Sequence, residues 1–160
     1  MKFLVDHQLP PALVKFTQAM RVLAIDHGTK RMGIAISDEL GMIAQPLEFI
    51  PAEPFADFLA RLNEILKEKQ VELILVGMPR NMNGSYGPAA SKVQEFVAAL
   101  KETVTIPIQT LDERLTSVQA HRFLTEAEVS GRQRKGKVDK SAAAILLQSY
   151  LDGRSGGVME

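Results

Sequence analysis

Three places in the chain carry carboxylates in settings that demand a partner. Asp26 ends the run Val22-Leu23-Ala24-Ile25, whose four consecutive apolar residues suit a strand buried on both faces. An acid at the end of such a strand must hold a cation or a network of donors, because an unpaired buried carboxylate is costly. Asp112 and Glu113 close a second apolar stretch, Ile106 to Leu111. Alternation along a strand sends those two acids to opposite sides, so one of them faces away. Asp139 opens the last helical stretch, on which Ala142, Ala143, Leu146 and Tyr150 recur at helical spacing, and its side chain shares the face that packs on a sheet. Carboxylates gathered without histidine or cysteine favour a hard cation, Mg²⁺ or Mn²⁺, bound partly by protein and partly by water and substrate phosphate. Two such ions about 3.5 to 4 Å apart can activate a water and stabilise the leaving oxygen of a phosphodiester.

Positive charge accompanies the acids. The stretch SGRQRKGKVDK, residues 130–140, places Arg132, Arg134, Lys135 and Lys137 around the lone Asp139. Beside an acidic site, such a run can hold a phosphate backbone that bare carboxylates would repel. Lys30 and Arg31 follow Asp26 in a polar turn, and Arg114 follows Glu113. Arg80, Asn83 and Ser85 lie in the turn-rich loop MPRNMNGSYGP before a helix N-terminus, a place that binds phosphate readily. These ten residues are the candidate nucleic-acid contacts. Across the whole chain Lys plus Arg and Asp plus Glu are equal at 19 each, so net charge argues neither for nor against a polyanionic partner. The chain has no cysteine, which removes disulfides, thiolate zinc sites and cysteine nucleophiles. No apolar run approaches membrane-spanning length, and Asp6 and Pro10-Pro11 interrupt the region where a secretory core would lie. The expectation is a cytoplasmic protein with no membrane partner.

The elements that must position these groups follow from periodicity. With 160 residues and 46% hydrophobic content, one ordinary core suffices. Residues 1–20 are expected to be an N-terminal extension of unassigned role, 21–152 the folded domain and 153–160 a flexible tail. Val22 to Asp26 and Met32 to Ile36 form a hairpin; Leu47 to Ile50 forms a short third strand after a turn over Gly41 to Pro46. Phe58, Leu59, Leu62, Ile65 and Leu66 mark a helix, Leu73 to Val76 a strand ended by Gly77, and Val93, Phe96, Val97 and Leu100 a second helix beginning near Pro88. The last strand, able to lie beside the first, is followed by a helix capped by Thr116 or Ser117, the basic loop, and a final helix ending before Gly153. That order predicts an α/β fold: a mixed five-stranded sheet whose first three strands form a meander, with helices on both faces. Sites in such sheets gather at the carboxyl ends of adjacent parallel strands.

Four separated motifs, LAIDHGTKRMGIAISD, VGMPRNMNGSYGP, TLDERLTSVQA and KVDKSAAAILLQSYL, resemble in order and spacing the YqgF family of RuvC-like nucleases over about residues 21 to 152. The resemblance implies a ribonuclease H-like fold and a magnesium-dependent endonuclease that matures the 5′ end of pre-16S rRNA or, in some members, resolves Holliday junctions in branched DNA. It implies that Asp26, Glu113 and Asp139 are the catalytic, metal-binding acids, and on that ground Glu113 rather than Asp112 is taken as the inward one. A monomer or a homodimer is compatible with it. Two readings of other classes compete. IDHGTKRMGIA also resembles the first phosphate loop of actin-type ATPases, which need two lobes where this chain has length for one. A nucleic-acid-binding factor that kept the fold and lost the activity is the other.

Overall fold

All four residues from Val22 to Ile25 are completely buried in the computed structural model, which describes residues 20–115 and 142–159, with side chains for 20–114 and 142–154. This run is the heart of β1 (Val22–Asp26). It pairs antiparallel with β2 (Arg31–Ser37), which pairs in turn with β3 (Ala44–Pro51). Helix α1 (Phe55–Glu68) leads to β4 (Leu73–Met78), and α2 (Pro88–Thr103) leads to β5 (Ile108–Asp112), which runs into a 3₁₀ turn, Glu113–Leu115. Helix α3 (Ala142–Met159) ends the described chain. Among the described residues the sheet has five strands in the order β3-β2-β1-β4-β5, with β1, β4 and β5 parallel.

Strand alternation sorts the sheet into two faces. Leu23 and Ile25, Ile34 and Ile36, and Ile74 and Val76 pack with Phe58 and Leu62 of α1 and Val93, Phe96 and Leu100 of α2. Val22, Ala24, Ala35, Leu73 and Leu75 point the other way, against Ala143, Leu146, Leu147 and Leu151 of α3. Small residues on both partners, Ala24, Ala35 and Ala143, let α3 approach the sheet closely. Asp26 falls in register with Val22 and Ala24, and so on the α3 face.

The mixed sheet with helices on both faces is as expected; several details differ. Strand β5 lies beside β4 at the edge of the sheet and not beside β1, both of whose sides are already taken by β2 and β4. Strand β3 begins at Ala44, inside the expected turn, and accommodates Pro46 because it is an edge strand with a bulge opposite Ile34/Ala35. Strand β4 continues through Gly77 to Met78 because Gly77 and Met78 pair with Leu111 and Asp112 of β5. Helix α3 runs past Gly153 to Met159, where the expectation was a tail; glycine costs a helix about 1 kcal/mol relative to alanine but does not block it as proline does. The expected helix after Thr116 and the start of the last helix near Asp139 lie outside the described residues.

Candidate active site at the carboxyl edge of the sheet

Glu113 reaches the strand beside Asp26 by way of a missing side chain. Glu113 follows the last residue of β5, two strands from β1, yet it is buried, with 3% of its surface exposed. Alternation from Leu111 points it to the α3 face, where it leans across β4 over Gly77. A Cβ built on Gly77 would sit 2.6 Å from Glu113 Oε2 and 3.1 Å from Leu146 Cδ2, so any other residue there would collide with the carboxylate. The register Ile25↔Val76, continued by one residue, sets Gly77 beside Asp26. Glu113 thus lies over the neighbour of Asp26, one strand spacing of about 4.8 Å away. On the other side Gly33 pairs with Asp26; a Cβ there would stand at ordinary contact, 3.6 Å, from Asp26 Cβ and closer, 3.3 Å, to the Phe49 ring.

The neighbouring acid has a different task. Asp112 accepts hydrogen bonds from Arg114, through the backbone N–H at 2.9 Å and the guanidinium at 2.8 Å, and pairs with Arg80 at 3.4 Å. Those bonds hold its carboxyl below the usual carboxylate range. Burial, and then the Asp112 charge, push Glu113 the opposite way, up to about 7. The inward acid is therefore Glu113, and the ion pair of Arg114 is made with Asp112.

The loop after β4 is built around the same two arginines. Arg80 lies over the Tyr86 ring at 4.4 Å and donates to the Gly84 carbonyl, while Arg114 donates to the Met82 carbonyl. Asn83 Oδ1 accepts from the Ser85 backbone N–H and hydroxyl, and Gly84 takes the left-handed conformation at φ 90°. Arg80, Asn83, Ser85 and Arg114 are thus brought together, with many of their polar groups engaged in shaping the loop. Lys30 and Arg31 are exposed beside Asp26, with Arg31 over Phe49 at 4.3 Å. Asp139, Arg132, Arg134, Lys135 and Lys137 lie outside the described residues.

Sequence reasoning missed two participants. Gly77 reads as a strand end and is in fact the gap that admits Glu113. Lys92, in the first turns of α2, lines a cavity of about 290 Å³ together with Glu113, His27 and Thr29. Its one signal in the sequence is a charge beside the core residue Val93, too common a pattern to mark a site. His27 packs against Phe96 with the two rings tilted by 59°, and burial together with Lys92 lowers its pKa, favouring the neutral ring.

For a metal, the donors present are oxygens on one sheet face, one of them desolvated enough to gain from a cation, which fits Mg²⁺ or Mn²⁺. Among the described residues no three His, Cys, Asp or Glu side chains gather in a ligand cluster. Asp26 and Glu113 are two of the three acids expected, and the third is Asp139.

Comparison with known proteins bears on this arrangement. A family model described as RuvX, Holliday junction resolvase, matches residues 20–153. A protein of Desulforamulus reducens named "Putative pre-16S rRNA nuclease" is 47% identical over 133 residues, covering 83% of this chain and 97% of the relative. A protein of the same name from Geobacillus kaustophilus is 47% identical over 137 residues, covering 84% and 99%. The solved structure of T. thermophilus RuvC in complex with a Holliday junction substrate shares the fold, with a TM-score of 0.52 at 19% identity over 86% of this chain and 96% of that one.

Proposed function

The chain belongs to the RuvX family, and from that premise we propose that it is a divalent-metal-dependent endonuclease that processes the 5′ end of pre-16S rRNA. The observation that carries the reading is the buried Glu113 carboxylate laid across Gly77, one strand from Asp26. Oxygen donors set side by side at the carboxyl edge of a parallel sheet suit a hard divalent cation.

Asp26, Glu113 and Asp139 would hold two Mg²⁺ or Mn²⁺ ions, which when bound lower the pKa of a water and neutralise charge on the leaving oxygen. The chain's own residues do the rest. Gly77 leaves room for Glu113, and the bonds of Arg80 and Arg114 to Asp112 turn that competing acid away. Lys92, in the cavity that Glu113 lines, attracts the phosphate of the strand to be cut. Lys30, Arg31, Arg80, Asn83, Ser85 and Arg114 would contact the phosphate backbone, and Arg132, Arg134, Lys135 and Lys137, which lie outside the described residues, would add positive charge to that contact. No helix among the described residues is long and apolar enough to cross a membrane, in keeping with a cytoplasmic enzyme.

The description of the matching family favours a second substrate, the four-way DNA junction. Incubating the purified protein with Mg²⁺ and either a pre-16S 5′-end RNA or a four-way junction separates the two. The expected result is cutting of the RNA that falls by about 100-fold or more in Asp26→Asn and Glu113→Gln, since losing even an outer partner of a metal site costs 10- to 100-fold. Preference for the junction would move the assignment to the resolvase, and equal cutting by wild type and both variants would sink it.

A further inference from the structure

The cavity that Glu113 lines adjoins a wider groove of about 480 Å³, the two sharing His27, Thr29 and Lys92. One wall of the groove is aromatic. The His27 and Phe96 rings lie 5.0 Å apart, and Phe55 meets Phe96 edge-on at 6.3 Å. Phe96 is anchored in the core against Phe58 at 5.6 Å, while His27 and Phe55 are half-buried and present the rings to the groove. The rim carries two exposed acids, Glu53 and Glu95. Carboxylates there repel phosphate but accept from the N–H groups on base edges, while ring faces stack on any base. The basic group, Lys92, stands at the other end, where the groove meets the acid-lined cavity. Charge therefore sorts a nucleotide along this path, with phosphate toward Lys92 and base toward the aromatic wall.

We propose that the groove is a subsite for one unstacked base of an RNA strand, the base adjoining the phosphate presented to Asp26 and Glu113. The subsite rests on the nuclease reading, and it adds a requirement: the strand must be single or splayed next to the cut, because a base held in a duplex cannot reach the wall.

The test begins by mapping the cut in a structured RNA with the wild-type protein. The fluorescent base 2-aminopurine is then placed at each position flanking the cut, and its quenching on binding is read in EDTA, where nothing is hydrolysed. Quenching at one position beside the cut is expected. It should vanish in Ala99→Leu, which fills the groove from α2, and in Phe55→Leu, which removes a ring but keeps apolar bulk. Both variants should bind the RNA roughly tenfold more weakly, the scale of one lost base stack. Because Phe55 also packs against the core, Ala99→Leu with an unchanged melting temperature is the decisive variant. Mapped cutting without position-specific quenching, or quenching that survives in Ala99→Leu, overturns the subsite and leaves the nuclease standing. Absence of any cut overturns both.

Discussion

Asp112 and Glu113 are adjacent acids of nearly the same chemistry, and the fold drives their proton affinities apart. Asp112 is ionised by two arginines, one of them from a loop 32 residues earlier in the chain. Glu113, desolvated over Gly77, binds its proton up to about pH 7 against an ordinary value of 4.5. Between those values the folded chain keeps a proton that the unfolded chain has released, so stability falls as pH rises toward 7 and levels off above it. In EDTA, Glu113→Gln should therefore melt higher than wild type at pH 8, and the gap should close by pH 5; a gap independent of pH would show that the carboxyl is not the strained group. That an acid, Asp26, would close the fully apolar first strand was legible in the sequence. The choice between Asp112 and Glu113 was not, because alternation puts one inward without saying which, and the deciding partner, Arg80, is close in space but distant in sequence.

At the scale of elements, the informative residue is one that contributes no side chain. Gly77 sits in mid-pairing with Leu111, so its role is to leave a gap above a continuous strand rather than to break it. Gly77→Ala should force the Glu113 carboxylate aside and lower cleavage at least tenfold, the lower end of the loss expected when a metal site's support is disturbed. The melting temperature should also drop. Adding Glu113→Ala should recover most of that drop, because the clash has lost one of its members; purely additive effects in the double variant would refute the contact. A glycine at the end of an apolar run reads equally well as a stop or as a gap, and the sequence offers nothing to choose between them. Pro46 misled in a similar way: it marks a turn by composition, while an edge strand with a bulge absorbs it. The amphipathic helices α1 and α2 were legible because their apolar spacing is regular and each buries a single face.

Across the whole molecule, the alternation of strands and helices was enough to predict a mixed sheet with two covered faces, but not the position of β5. Whether a late parallel strand joins β1 or stacks outside β4 depends on which edges remain open, and that is a property of the assembled sheet. The outcome places the two acids two strands apart and leaves a glycine to bring them together. The face that carries both acids is the one covered by α3. Helix α3 is seated by Leu146, Leu147 and Leu151, nearly or fully buried, and Gln148 reaches the β2–β3 connection, accepting from the Ala44 N–H at 2.9 Å and donating to the Met42 carbonyl at 3.0 Å. None of these contacts involves residues 116–141. If these contacts suffice to seat α3, genes encoding the chain opened within residues 116–141 and co-expressed as two fragments should yield a complex that purifies through a tag on either piece, and fragments that part company would show that the helix is held by its tether.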